Sequence, residues 1–129
     1  MRETFHNIST EQDIAYFLEA TNGLNDGCLI GVQFLHRGHT PGNPHKIDPS
    51  LAELRIYYMV CSLRDSLVEL VFSAPAEWQI KESPFAFGIE DTATLCLTEN
   101  GNILWTDGSD GQQGSYVIAE TMQWRFVTA

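Results

Sequence analysis

Leu54-Arg55-Ile56-Tyr57-Tyr58-Met59-Val60 and, a short step later, Val68-Glu69-Leu70-Val71-Phe72 decide the fold. In the first segment Leu54, Ile56, Tyr58 and Val60 alternate with Arg55, Tyr57 and Met59. That is the period of two expected for a strand with one core face. The second segment repeats it, with Val68, Leu70 and Phe72 against Glu69 and Val71. Ser62 to Asp65 is long enough to turn the chain, so the pair reads as a hairpin. Pro75 is expected to end the second strand, because proline cannot donate to a ladder. Ala76, Trp78 and Ile80 then read as a short separate strand, and Lys81 to Phe87, which holds Pro84, as irregular.

Towards the C-terminus the same pattern recurs. Thr92 to Thr98 reads as a strand with Ala93, Leu95 and Leu97 opposite Thr94 and Cys96. Glu99-Asn100-Gly101-Asn102 follows, and Asn-Gly supplies the positive φ angles of a two-residue hairpin. Ile103-Leu104-Trp105 returns as the second arm. Asp107 to Gly114 is a Gly- and Asp-rich loop. Ile118, Met122, Trp124 and Phe126 alternate with Ala119, Thr121, Gln123 and Arg125 in a long closing strand, broken once by Glu120.

Towards the N-terminus, Cys28 to His36 reads as a strand and Arg37 to His45 as a surface loop rich in Gly and Pro. Before them lies one helix, from about Thr10 to about Thr21. Ser9 with Gln12 fits a capping box, and Glu11 and Asp13 suit the positive end of the helix dipole. Ile14, Phe17 and Leu18 give an apolar face, Thr21 continues it, and Asn22-Gly23 is a stop signal. The expected fold is a single α+β domain over residues 1–129. It is mainly an antiparallel β-sheet of six or seven strands, curled or packed on itself, with one N-terminal amphipathic helix. No Gly-rich phosphate loop follows a strand and no βαβ alternation occurs, which excludes Rossmann-type and P-loop folds.

The chain has 129 residues, 43% hydrophobic, enough for a self-sufficient core. Seven Lys and Arg face 17 Asp and Glu, a formal net charge of −10. Residues 1–60 carry four basic and seven acidic groups, and residues 61–129 carry three and ten, so the acidity concentrates in the second half. Such a charge repels phosphate backbones and anionic membrane surfaces, so neither nucleic acid nor membrane is expected as a partner. A basic protein would be attracted and steered. Cys28, Cys61 and Cys96 each sit in an apolar run and read as buried reduced thiols. Together with an N-terminus lacking an apolar leader, they point to the cytoplasm. No apolar run approaches the roughly 18 residues of a membrane helix.

Candidate chemistry is sparse. His36, His39 and His45, with Asp48 beyond, carry ligand types suited to zinc, but their spacing matches no established site. A metal-dependent enzyme or metal-binding domain using the His36–Asp48 segment is therefore the alternative to a binding protein. Asp107-Gly108-Ser109-Asp110-Gly111 lacks the ligand spacing of a calcium loop and reads as turns. Glu69 and Glu120 lie on strands, where a carboxylate pair across a groove would suit glycoside chemistry. No Ser or Cys has a nucleophile elbow, so no catalytic residue and no cofactor is assigned. Trp78, Trp105 and Trp124 read as packing residues. Tyr57, Trp105 and Tyr116, beside an acidic loop, would suit a protein–protein surface. Glu90, Asp91, Asp107 and Asp110 are the candidate partner-binding residues.

Three segments carry a likeness to a known group. They are Leu24-Asn25-Asp26 ahead of the first long strand, Val68-Glu69-Leu70-Val71-Phe72 followed by Ala76-Glu77-Trp78, and Met122-Gln123-Trp124-Arg125-Phe126. In these the chain resembles small uncharacterised bacterial domains of the polymorphic-toxin immunity-protein type. Asn25 departs from that pattern, which has His between Leu and Asp. The resemblance implies a protein without catalysis that binds and neutralises a toxin. The leading expectation is thus a non-enzymatic cytoplasmic interaction domain that binds a basic partner through an acidic face. A structural or accessory domain of a larger assembly is the third reading.

Overall fold

Ala52 to Val60 forms a strand in which every second side chain is buried, from Ala52 through Leu54, Ile56 and Tyr58 to Val60. This is strand β5 in a computed structural model that describes residues 4–36, 39–40, 42–64, 66–81, 89, 92–108 and 114–127, with the backbone alone for 39–40 and 43–47. The other elements are β1 (His6–Ile8), α1 (Glu11–Ala20), β2 (Gly27–His36), β3 (His39–Thr40), β4 (Asn43–Ile47), β6 (Ser66–Gln79), β7 (Thr94–Leu97), β8 (Ile103–Thr106) and β9 (Tyr116–Val127). The main sheet is antiparallel, in the order β2-β5-β6-β9-β8-β7, with β1 added to β9. Among the described residues it has seven strands, is accompanied by one α-helix and is not closed into a barrel, so the mainly antiparallel α+β fold expected from the alternation is present.

The β5–β6 hairpin pairs Leu54 with Phe72, Ile56 with Leu70 and Tyr58 with Val68, so both apolar sets share one face. A 3₁₀ turn at Cys61–Leu63 and a left-handed Arg64 (φ 57°) reverse the chain. Asp65 lies outside the described residues. β6 is buried on both faces from Val68 to Phe72. Strand β9 flanks it from Leu67↔Val127 to Gln79↔Tyr116.

Pro75 does not end β6. Strand β5 reaches only as far as the Glu53↔Ser73 pair, so Pro75 has no β5 ladder bond to lose. Ala74 adopts φ 51°, the register with β9 shifts between Pro75 and Glu77, and the strand continues through Trp78 as one bent element. The same bend changes the phase of β9. Val117 and Ala119 are buried, Glu120 and Thr121 are both exposed, and burial resumes at Met122 and Trp124. Ile118 therefore does not share the core face of Met122 and Trp124.

Helix α1 starts one residue later than the Ser9–Gln12 pair suggests. Thr10 is the N-cap, its side chain accepting from Asp13 N, and Asp13 Oδ2 accepts from Thr10 N at 3.0 Å and Ser9 N at 2.9 Å. The short carboxylate of Asp13 thus closes the box, and these hydrogen bonds hold its pKa below the usual carboxylate value. Ile14 and Phe17 are buried, with Phe17 edge-on to Trp124 at 5.3 Å. Thr21 is buried and donates Oγ1–H to Phe17 O.

Two loops also differ from the pattern. Strands β3 and β4 pair antiparallel, His39 with Ile47 and Thr40 with Asn43, where a loop is expected. At Glu99-Asn100-Gly101 the loop has three residues: Gly101 N donates to Thr98 O, Gly101 has φ 81°, and Thr98 N donates to Asn102 O. Asn100 keeps a negative φ, so this is a type I turn with a glycine bulge rather than a two-residue turn. Finally, Ile89 N donates to Gly27 O and Ala93 N to Gly23 O. These bonds tie Ile89 and Ala93 to the start of β2 and the turn before it.

Candidate functional site

Strand β2 is one edge of the sheet, and it is unusual among the strands. Its ten residues, Gly27–His36, contain no charged side chain in a chain of net charge −10. Natural edge strands are commonly protected by charge or proline. Val32 and Phe34 stand opposite the buried Ile56 and Leu54, so they lie on the core side of the sheet. Among the described residues no helix covers them at the edge, and they are 41% and 43% exposed. Ile30, at the β2 register shift, is 55% exposed.

The bend of β6 brings Trp78 (38% exposed) to Phe34, with ring centroids 5.6 Å apart. The Phe34 ring lies 6.2 Å from that of His36. Asp48, near His36, has its pKa lowered chiefly by the hydrogen bonds from Ser50. Leu51 extends from the 3₁₀ turn Pro49–Leu51 and is also exposed. Glu77, exposed, neighbours Trp78 and hydrogen-bonds to Tyr116, raising the pKa of that phenol. The result is an apolar strip, Ile30-Val32-Phe34-Trp78, with Asp48 near its His36 end, while Glu77, adjacent to Trp78 in β6, points to the other sheet face. Among the described residues β2 pairs only with β5, apart from the single Gly27↔Ile89 bridge. Among the described residues no other strand pairs with its outer edge.

The opposite face of the sheet is organised around a charge. Glu69, fully buried, stands in one cross-strand row between Tyr57 and Arg125. Its Oε2 accepts from Arg55 Nη1 at 3.1 Å and from the Tyr57 hydroxyl, and its Oε1 accepts from Arg125 Nε at 2.6 Å. Arg55 also donates to Glu53 at 2.8 Å, and the Arg125 guanidinium lies 3.9 Å above the Phe5 ring. Burial opposes ionisation of Glu69, but the donors Tyr57 and Arg125 and the positive charges of Arg125 and Arg55 outweigh it, so its pKa is lowered. The Tyr57 pKa is raised, by burial first and then by Glu69. A carboxylate held by three donors and kept ionised is a structural anchor, not a general acid. Glu120 is exposed, on the far side of the β9 phase change, and does not join it.

The remaining candidates fall as follows. Asp107 is buried, 7% exposed, and its Oδ2 accepts from Ser115 N at 2.8 Å, so it closes a loop rather than presenting a carboxylate. Glu90, Asp91 and Asp110 lie outside the described residues. His36 is described. For His39 and His45 only the backbone path of β3 and β4 is, and among the described residues no three His, Cys, Asp or Glu side chains cluster to hold a metal. Trp105 is buried and Tyr57 lies on the Glu69 face, so the aromatic group Tyr57–Trp105–Tyr116 is not brought together. Trp105 and Trp124 are core residues, as their apolar surroundings predict, while Trp78 is at the surface. The cysteines correct the expectation of burial: Cys61 and Cys96 are exposed and Cys28 is half-buried, because each falls at a strand end or on the outward phase of an edge strand.

One open depression of about 420 Å³ lies between β1 and α1, lined by Phe5, His6, Asn7, Ser9, Asp13, Tyr16 and Trp124. His6 stacks on Trp124 at 4.6 Å. No described helix is long and apolar enough to cross a membrane. No protein family matches the chain, and comparison with curated proteins and with solved structures finds no significant relative.

Proposed function

We propose that the chain is a non-enzymatic protein-binding domain that takes an extended, basic segment of its partner along β2. The observation that carries this reading is the uncharged ten-residue edge with Val32 and Phe34 exposed beside Trp78. Strand addition would supply backbone hydrogen bonds, and the strip would supply anchors for alternate side chains. Asp48 lies near the His36 end of the strip, and the net charge of −10 would steer a basic partner towards the domain. The resemblance to immunity-type domains supports one form of this reading, in which the partner is a toxin that the cytoplasmic domain neutralises.

The test is co-purification from native lysate at low and moderate salt, with wild type beside Val32→Lys/Phe34→Lys and a remote control, Glu99→Lys. A basic protein retained by wild type and the control, released by salt and absent from the double variant, is the expected result. Retention of the same proteins by the double variant would remove the edge from the proposal.

A further inference from the structure

Cys28 and Cys61 bring their sulfurs to 3.9 Å of one another, although 33 residues separate them in sequence. The approach follows from register. Gly27 pairs with Val60 and Cys28 with Met59, so Cys61, the first residue beyond β5, comes alongside the start of β2. Hydrogen bonds fix the two turns that carry them. Ser62 Oγ donates to Asn25 O at 3.0 Å and accepts from Asn22 Nδ2 at 3.2 Å. The turn on the β2 side is itself constrained, with Asn22, Gly23, Leu24 and Asp26 all at φ between 53° and 63°. Cys61 is exposed and Cys28 half-buried, so an oxidant reaches Cys61 first. Cys96 lies on β7, at the other end of the strand order, in an outward-facing position opposite Leu104.

We propose that Cys28 and Cys61 form a reversible dithiol–disulfide site whose co-substrate is a low-molecular-weight disulfide such as oxidised glutathione. In the first step the Cys61 thiolate attacks one sulfur of that disulfide, forming a mixed disulfide and releasing one thiolate. In the second the Cys28 thiolate attacks the Cys61 sulfur, forming the Cys28–Cys61 bond and releasing the second thiolate. Both cysteines lose a proton, the protein is oxidised by two electrons, and the small disulfide is reduced to two thiols. A disulfide needs the sulfurs to close by about 2 Å, a movement within the reach of side-chain rotation at two strand ends. The product ties the uncharged edge strand to the β5–β6 turn.

The test is incubation of the reduced full chain with oxidised glutathione, followed by intact-mass measurement, thiol titration and peptide mapping without reductant. Wild type and Cys96→Ser should lose about 2 Da, consistent with one internal disulfide. They should lose two titratable thiols, stay monomeric and yield a peptide linking residues 28 and 61. Cys61→Ser, altered at an exposed position, should form no internal bond. A persistent glutathione adduct on Cys61 beside a titratable Cys28, a link through Cys96, or a disulfide-linked dimer would overturn the proposal.

Discussion

The centre of the outer sheet face and the β2 edge handle their side chains in opposite ways. At the centre a carboxylate is buried, and every near neighbour is a donor: Arg55, Tyr57 and Arg125 converge on Glu69. At the edge apolar side chains are exposed, and among the described residues no strand covers them. Burial of a charge is costly unless it is paired, and exposure of an uncharged edge is hazardous unless it is covered. The first requirement is met within the chain. Among the described residues the second is not met, and the proposed binding of a partner along β2 would meet it.

The largest expected effect lies at the centre. Glu69→Ala would leave two guanidinium groups facing each other across β6, and should destabilise the domain by about 2–3 kcal/mol. The figure is set below the roughly 3–5 kcal/mol of a fully buried broken pair, because the Arg55 and Arg125 side chains are 23% and 14% exposed and water can reach them. Urea unfolding measures it, and a loss below about 1 kcal/mol would mean the network is not an anchor. The sign with pH follows from the lowered Glu69 pKa. Its contribution is present above the unfolded-state value, about 4.3 for glutamate, and is lost as pH falls through the lower folded-state value. The stability gap between wild type and Glu69→Gln should therefore be widest near neutrality and narrow as pH drops below about 4. A gap that widens in acid would show that Glu69 is protonated in the native state.

Part of this contrast is legible in the sequence and part is not. The alternation in 54–60 and 68–72 fixes a hairpin and which residues point outward, so Arg55, Tyr57 and Glu69 can be read as one face. That Arg125 joins them depends on the register of β9 against β6, set between segments far apart in the chain. A slip of one residue would move it to the other face. Strand order is hidden in the same way. The period of β2 does not reveal whether Val32 and Phe34 lie mid-sheet or at an edge, so the exposed strip could not be found by patterning. Cys28 and Cys61 read as core residues for the same reason. Pro75 is a stop signal locally and is tolerated only because β5 has already ended.

A smaller effect tests whether the three donors at the centre act together. Tyr57→Phe removes one donor but leaves Glu69 both arginines, so it should cost about 1–1.5 kcal/mol, less than loss of the carboxylate. If the network is cooperative, the cost of Tyr57→Phe should vanish in the Glu69→Gln background, where the acceptor is no longer charged. A double-mutant cycle in urea reads this coupling. Additive costs would show that the Tyr57 hydroxyl contributes independently of the carboxylate.

The smallest expected effect on stability is also the sharpest test of the comparison. Val32→Lys places a charge on the edge, where Val32 is 41% exposed and its backbone already pairs with Ile56. The long lysine side chain can lay its methylenes along the apolar strip and keep its ammonium in water. The isolated domain should therefore change by no more than about 0.5 kcal/mol, as is usual for surface substitutions. Yet the same lysine blocks a further strand by protecting the edge, and repels a basic one. An unchanged urea midpoint together with loss of the partner would separate the two regions cleanly. A drop comparable with that of Glu69→Ala would instead place Val32 in the core, and the edge would then owe its lack of charge to folding rather than to binding.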